Sequence, residues 1–158
     1  MTNESGIVSG IHAEDQKGNT YTIHAKKVIL ACGGYGANYD MLTANTDMPT
    51  PFYLGPTSNQ GFGITGTEKL GAQVAHANLP NIEGYGQMVY GTVGGLIVNE
   101  NAQVLDQDDV VIENLYAVGE LTCVQVLDTY HFSAGENISW NLYSGRIAGT
   151  HAAEGLDK

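Results

Sequence analysis

The feature of this sequence that most constrains its fold is a short apolar run that stops abruptly at glycine. Residues 27–32 read Lys-Val-Ile-Leu-Ala-Cys, and Gly33, Gly34, Tyr35 and Gly36 follow at once. An uninterrupted apolar run bounded by turn residues is typical of a strand buried on both faces. We therefore predict a central, buried strand with a tight glycine turn at its carboxyl end.

A second apolar run ends in the same manner. Residues 115–118 read Leu-Tyr-Ala-Val and precede Gly119 and Glu120, so we expect a short buried strand beside the first. Glycine at a strand end lets the backbone approach a ligand closely, and Glu120 offers a carboxylate to hydroxyl groups. The alternatives are a solvated acid for Glu120 and an ordinary tight turn for Gly33 and Gly34.

Turn chemistry predicts two hairpins. The turn residues 15–19 separate β-rich runs between residues 7 and 23, and the turn at residues 99–101 separates residues 96–98 from residues 104–105. Such alternation of β-rich runs with Asn, Asp and Gly is typical of antiparallel pairs.

Three helices are predicted at residues 39–44, 61–70 and 138–153. Ser58 or Asn59 could cap the second helix, and Gly71 supplies a stop. In the third helix, the spacing of Gly145 and Gly149 would let the helix lie tight against a sheet or ligand. Strands and helices together indicate an α/β or α+β fold, in one domain spanning residues 1–158.

Charge and hydropathy exclude two classes of partner. The formal net charge is −11, and the six Lys and Arg residues form no basic patch, which argues against nucleic acid. No apolar run approaches the roughly 20 residues that span a bilayer. The first residues have neither the basic nor the apolar region of a secretory signal, so we expect a soluble, cytoplasmic protein without a membrane partner.

The reactive side chains form no recognisable constellation. Cys32 and Cys123 are far apart with no C-x-x-C spacing, so we expect two packed thiols rather than a disulfide or a metal site. The five histidines are scattered, and no Ser-His-Asp or Cys-His pattern is present. The residues alone therefore indicate neither a metal site nor an independent catalytic centre.

Five segments, in order, resemble the flavoproteins of the fumarate reductase and succinate dehydrogenase family. VILACGGYG at residues 28–36 resembles the family's VILATGGFG, and GFGITGTEKLGA at residues 61–72 resembles GDGIxMAxxLGA. TVGGL at residues 92–96 is similar to TMGGV, NLYAVGE at residues 114–120 is similar to GLYAAGE, and GRIAG at residues 145–149 matches fully. Any one of these segments is weak evidence, whereas five in order over nearly the whole chain are specific.

The resemblance implies part of a Rossmann-like FAD-binding domain, with a β-hairpin or meander and a C-terminal helix. It implies FAD as cofactor and, in the full-length enzyme, hydride transfer between flavin and an activated C=C bond of a small dicarboxylate-like substrate. Residues 130–138 resemble YNRLGGNAI, which faces the isoalloxazine in the family. The implied cofactor-binding residues are Cys32, Gly33, Gly34, Gly119, Glu120, Gly135, Asn137 and Ile138.

Three departures from the family limit the expected activity. No apolar strand of the sequence leads directly into a G-x-G-x-x-G, the unit that holds a pyrophosphate at a helix N-terminus; GFGITG at residues 61–66 has this spacing but follows a loop rather than a strand. Only about twenty residues, 73–91, stand where the family inserts a capping domain that carries its proton-donating arginine. Phe132 replaces a carboxylate-binding arginine, and Tyr90 and Gly91 replace a histidine pair.

We therefore expect a partial FAD-binding domain that is inactive alone. A non-catalytic binding or assembly module that keeps the flavoprotein scaffold, for instance as a homo-oligomer, is the alternative. A yellow purified protein would favour the first expectation, and a colourless, stable dimer would favour the second.

Overall fold

The computed structural model describes residues 1–46, 50–75, 88–89, 91–125 and 135–156. The described chain contains both strands and helices, which confirms the mixed fold class. In chain order the elements are β1 (Gly10–Glu14), β2 (Thr20–His24), β3 (Val28–Leu30), α1 (Tyr39–Ala44), β4 (Phe52–Tyr53), α2 (Phe62–Thr67), β5 (Val74–Ala75), β6 (Met88–Val89), β7 (Gly95–Leu96), β8 (Gln103–Leu105), β9 (Val111–Ala117) and α3 (Glu136–Glu154).

The strands β3, β9 and β8 form a three-stranded sheet in that order. β3 runs parallel to β9, with Val28 opposite Leu115 and Leu30 opposite Ala117, whereas β8 is antiparallel to β9. The predicted pairing of the two glycine-terminated strands is therefore confirmed. It sets both of their carboxyl ends at the same edge of the sheet.

The predicted central position of β3 is wrong for the described part of the chain. β9, with seven residues, is the middle strand, since it pairs with β3 on one side and with β8 on the other, while the three-residue β3 pairs with β9 alone. Val28 points into the core, but the side chain of Ile29 is 42% exposed. The apolar run identified the strand but not how many neighbours cover it.

The C-terminal helix α3 covers one face of β9. Its small side chains Ala148 and Ala152 pack against Tyr116 and Val118 in one buried cluster. The predicted tight packing of Gly145 and Gly149 against a sheet is wrong, because a Cβ at either glycine would meet nothing within 4 Å, whereas their packing against a ligand stays a prediction. The second, larger cluster lies between β3, β9 and α2 and includes Val28, Leu115 and Ile64.

The short helices follow the sequence prediction except at one cap. α1 has the predicted bounds, and the side chain of Asn38 accepts a hydrogen bond from the Met41 amide. A 3₁₀ turn (Glu68–Leu70) continues α2 and stops at Gly71, whose φ of 73° is the left-handed conformation expected of such a stop. The N-cap of α2 is Gly61, however, and not Ser58 or Asn59.

The two predicted hairpins differ in outcome. β1 and β2 pair antiparallel around the turn at residues 15–19, as predicted. Around residues 99–101 the predicted hairpin is present but short: Val98 and Val104 form an antiparallel bridge, and the Asn99 and Leu105 amides donate to the Gln103 and Ile97 carbonyls, each at 3.0 Å. Beyond it β7 pairs with β5, and β8 pairs with β9, so the two arms of the hairpin join different sheets. Among the described residues, no helix combines the length and apolarity needed to cross a membrane.

Asp15 organises the first hairpin turn. Its carboxylate accepts hydrogen bonds from the Lys17 and Asn19 backbone amides at 2.8 and 2.9 Å, from the Asn19 side chain at 2.8 Å and from the Tyr21 hydroxyl at 3.0 Å. These bonds, led by that from the Asn19 side chain, lower the pKa of Asp15 from 3.8 to about 2.

We expect Asp15→Ala to destabilise the protein at neutral pH, because four donors lose their acceptor. Since the folded pKa lies below the unfolded one, Asp15 contributes stability above about pH 3.8 and loses it as the pH falls towards 2. Urea denaturation at pH 7 and pH 2.5 measures this, with the exposed Asp108→Ala as the control. A wild-type to Asp15→Ala difference that stays constant with pH would contradict the assignment.

Candidate functional site

A cleft opens where β3 and β9 end side by side. Ligands of parallel sheets bind outside the carboxyl ends of the strands, because the strand ends leave a crevice there. The cleft has a volume of about 630 Å³, which lies in the range of small-molecule sites. Its lining includes Cys32, Gly33, Asn59, Gly119, Glu120 and Asn141.

Half of the expected cofactor-binding residues meet in this cleft, namely Cys32, Gly33, Gly119 and Glu120. Gly34 lies directly behind them, since a Cβ there would meet the side chain of Glu120 at 2.7 Å. The sequence therefore identified both strand ends that form the cleft.

The other three expected residues lie at the start of α3 and do not line the cleft. Gly135 is the N-cap of α3, with φ at 95°. The Asn137 side-chain oxygen accepts a hydrogen bond from the Cys123 thiol at 3.4 Å, and Ile138 is 67% exposed. Their placement near an isoalloxazine stays a prediction. Tyr90, His131 and Phe132 lie outside the described residues.

The carboxylate of Glu120 is held on both oxygens by side chains that the sequence analysis missed. Oε1 accepts hydrogen bonds from the Thr92 amide at 2.8 Å and from the Thr92 hydroxyl at 3.2 Å. Oε2 accepts a hydrogen bond from Asn59 Nδ2 at 2.9 Å, and the same nitrogen donates to the Tyr53 hydroxyl at 2.8 Å. We call Glu120, Asn59, Thr92 and Tyr53 the Glu120 clamp. This geometry disfavours a freely solvated strand-end acid.

Asn59 and Thr92 are both buried, with Asn59 6% and Thr92 2% exposed. Asn59 stood in the sequence only as a candidate helix cap, and Thr92 only as the first residue of TVGGL. The sequence signal that could have identified them is their position: Thr92 opens the resembling segment TVGGL, and Asn59 stands two residues before the segment that begins at Gly61. Their joint role was invisible because they lie 61 and 28 positions from Glu120.

The glycines at the end of β3 make room for the clamp. A Cβ on Gly33 would overlap the amide of Asn59, and one on Gly34 would overlap the hydroxyl of Thr92. Gly36 is in turn filled by the ring of Tyr53. The glycines of this turn are thus explained by side chains that pack closely against backbone without a Cβ. This explanation adds to the two that the sequence suggested, which are the close approach of a ligand and an ordinary tight turn.

Glu120 sets the electrostatics around the cleft. Burial, and then the charge of Glu120, raise the pKa of Tyr35 and that of Cys123 to about 12. The same two causes, in the same order, raise the pKa of Tyr53. Tyr35 is fully buried, and its hydroxyl has no hydrogen-bond partner within the described structure.

The cleft fits the sugar part of a dinucleotide better than its phosphates. Glu120 is the one charged side chain in the described lining, and a negative charge attracts hydroxyl donors and repels phosphate. The Gly119 amide already donates to Ser144 Oγ at 3.0 Å, so it does not point at a ligand. The described lining thus offers a hydroxyl acceptor and no pyrophosphate cradle.

The two cysteines differ from each other. Cys123 is buried, as expected of a packed thiol. Cys32 is exposed in the cleft, which contradicts its expected packing, because β3 ends two residues before it. Burial nevertheless raises the pKa of the Cys32 thiol, so the thiolate that reacts with electrophiles is disfavoured.

We expect Gly34→Ala to destabilise the protein by about 1–3 kcal/mol, because its methyl group would displace Thr92 and Glu120. Gly66→Ala is the matched control: Gly66 lies in α2 with open space around it, so alanine should be neutral or stabilising by up to about 1 kcal/mol. Chemical denaturation of both variants measures the difference. Equal stabilities would show that the clamp does not need this glycine.

Comparison with known proteins agrees with a flavin site. Residues 85–135, which include Thr92, Gly119 and Glu120, match the family described as FAD binding domain. The 3-oxosteroid 1-dehydrogenase of Mycobacterium tuberculosis (strain ATCC 25618 / H37Rv) is 38% identical over 76 residues. That match covers 44% of this chain and 14% of the dehydrogenase, so the chain corresponds to a small part of this relative.

Solved structures share the fold over nearly the whole chain. The 3-ketosteroid delta1-dehydrogenase of Sterolibacterium denitrificans has a TM-score of 0.79 at 14% identity, covering 94% of this chain and 57% of that one. A flavocytochrome c3 fumarate reductase has a TM-score of 0.74 at 17% identity, covering 98% of this chain and 50% of that one. Residues 85–135 thus match an FAD binding domain family, and the chain is similar in fold to a 3-ketosteroid delta1-dehydrogenase and to a flavocytochrome c3 fumarate reductase, the second being of the type that its motifs resemble.

Proposed function

We propose that this chain supplies cofactor-binding structure to an FAD-dependent oxidoreductase that transfers hydride between flavin and an activated carbon–carbon bond. The FAD binding domain match and the two kinds of relative support this proposal. The relatives are named for one dehydrogenation and one reduction, and a flavin can carry hydride in either direction. The chain spans only part of each relative, so the reaction belongs to the complete enzyme.

One observation carries the proposal: a carboxylate fixed at the edge where two parallel strands end. Glu120 lines the cleft while Thr92 and Asn59 hold it from behind. In this position Glu120 accepts a hydrogen bond from a sugar hydroxyl of FAD. When bound, FAD supplies the hydride chemistry, and the residues of this chain bind and orient it.

The substrate class that we favour is uncharged and apolar rather than a dicarboxylate. Phe132 stands where fumarate reductases carry a carboxylate-binding arginine, and Tyr90 and Gly91 stand where they carry two histidines. Phenylalanine cannot make the bidentate contact of guanidinium with a carboxylate. The sequence match to a 3-oxosteroid 1-dehydrogenase supports the same choice.

Exposed apolar residues favour a second candidate, a non-catalytic assembly module. Ile138 is 67% and Leu142 72% exposed, and they lie one turn apart on α3 beside the exposed Tyr143. Contiguous exposed apolar surface marks interaction sites. Sedimentation and the visible absorbance spectrum of the purified chain distinguish the candidates. A colourless dimer that Leu142→Glu dissociates would favour assembly, and flavin absorbance that co-purifies with the chain would favour cofactor binding.

We expect the 158-residue chain alone to bind FAD with a dissociation constant above about 1 μM. Each polar contact contributes about 0.5–3 kcal/mol, whereas association costs about 4–15 kcal/mol. Glu120→Ala should weaken binding about tenfold further, and Glu113→Ala, an exposed residue of β9 before the cleft, should not. An NMR titration that follows the Gly33 and Thr92 amides measures both constants.

Two results of this titration would contradict the expectation. A sub-micromolar constant, weakened by Glu120→Ala, would make the chain a self-sufficient flavoprotein. Unchanged Gly33 and Thr92 signals at millimolar FAD would overturn the proposed cofactor site itself.

The chain alone should turn over neither fumarate nor a 3-ketosteroid. Catalysis needs a positioned substrate and a positioned proton donor, and the segment at residues 73–91 is too short to form a capping domain. Assays with a reduced viologen for fumarate and an artificial electron acceptor for the steroid measure this. Turnover that disappears in Glu120→Ala would show that this chain carries a complete site.

A further inference from the structure

We infer that Asn59 and Thr92 are positioning residues, which aim the Glu120 carboxylate into the cleft so that it selects a ligand hydroxyl. This inference rests on the proposed function, because it specifies how the same site recognises its ligand. It gives a role to the two buried residues of the clamp, and it explains why glycines lie where a Cβ would overlap their side chains.

The number of free acceptor positions on the Glu120 carboxylate limits how many hydrogen bonds a ligand can donate to it. A carboxylate has roughly four lone-pair positions, two on each oxygen. Thr92 uses both positions of Oε1, through its amide and its hydroxyl, and Asn59 uses one position of Oε2. No described residue donates to the remaining position of Oε2, and Glu120 lines the cleft. The clamp therefore presents a single acceptor to one donor group.

The hydrogen bonds of the clamp have a fixed direction. The Tyr35 amide donates to Thr92 Oγ1 at 3.2 Å, so the Thr92 hydroxyl proton is directed onto Glu120. Both hydrogens of Asn59 Nδ2 have acceptors, one being the Tyr53 hydroxyl and the other Glu120. Because the ionised Glu120 carboxylate only accepts hydrogen bonds, both Asn59 and Thr92 must act as donors to it.

Packing against bare backbone keeps these side chains in place. The Asn59 amide fills the space beside Gly33, and the Tyr53 ring fills the space beside Gly36 and Gly55. A preorganised acceptor loses little conformational freedom when a ligand binds, which favours the ligand that presents a donor. The donors around Glu120 are all neutral, so an anionic group at this position would meet an uncompensated negative charge.

The first experiment tests positioning without any ligand, by hydrogen exchange of the Thr92 amide in the full chain. We expect Asn59→Ala to lower the protection of this amide at least about tenfold. Without Asn59 the Glu120 carboxylate is no longer held at Oε2, so its Oε1 accepts less steadily from the Thr92 amide. Asn101→Ala, a turn residue outside the cleft lining, is the control. Unchanged protection in Asn59→Ala would overturn the positioning role.

The second experiment tests selectivity with two pairs of uncharged probes by NMR titration. Adenosine against 2′,3′-dideoxyadenosine reports on a ribose hydroxyl, and riboflavin against lumiflavin reports on a ribityl hydroxyl. We expect the wild type to prefer the hydroxylated member of one pair about tenfold, because a hydrogen bond to a charged acceptor is stronger than one between neutral groups. The pair that shows the preference identifies the sugar.

The variants separate selectivity from general stability. The preference should fall to about one in Asn59→Ala, should weaken in Thr92→Val, and should survive in Thr92→Ser, which keeps both donors. A preference that persists in Asn59→Ala would overturn the inference even if that variant melts at a lower temperature. Binding of neither pair by the wild type would overturn the proposed function, while the exchange experiment would still decide the positioning role.

Discussion

The parallel pairing of β3 with β9 is the constraint on which the rest of the site depends. Because Leu30 lies opposite Ala117, both strands deliver their following residues to the same edge of the sheet. The amide of Val118 extends this pairing by donating to the Leu30 carbonyl at 3.0 Å. Antiparallel pairing of the same two strands would place Gly33 and Glu120 at opposite ends of the sheet and would leave no cleft between them.

The site is built from side chains packed against backbone rather than from a rich set of charges. Gly34 lets Thr92 and Glu120 approach, and Gly33 lets Asn59 approach. The carboxylate at the centre is satisfied by neutral donors, and its charge reaches the buried Tyr35 and Cys123, where it adds to the effect of burial on their pKa values. Such an arrangement suits a polar, uncharged part of a cofactor and is unsuited to a pyrophosphate.

A site suited to only part of a cofactor is consistent with the share of each related structure that this chain covers. The fold extends over nearly all of this chain but over only 50–58% of the solved structures that share it. Glu120 lies at the edge where β3 and β9 end, whereas no described strand leads directly into a G-x-G-x-x-G, since the GFGITG of residues 61–66 follows a loop after β4. The sugar site proposed for Glu120 therefore has no strand–glycine–helix unit for the phosphates beside it among the described residues.

The sequence by itself determined the features that are decided within a few residues. Turn chemistry at Asp15 predicted the first hairpin, the stop at Gly71 ended its helix, and apolar runs before glycine located β3 and β9. The resemblance across five segments then indicated FAD, because five short motifs in the order of the family are specific where a single one is weak evidence.

Only the tertiary structure decided how those pieces meet. In the structure β9 rather than β3 is the middle strand, and Cys32 is exposed. Asn59, expected as a helix cap, donates a hydrogen bond to the carboxylate of Glu120. The physical reason is sequence separation: neither local periodicity nor turn chemistry carries information about a hydrogen bond between residues 61 positions apart. The contacts that give the candidate site its chemistry arise only when the strand ends are brought together.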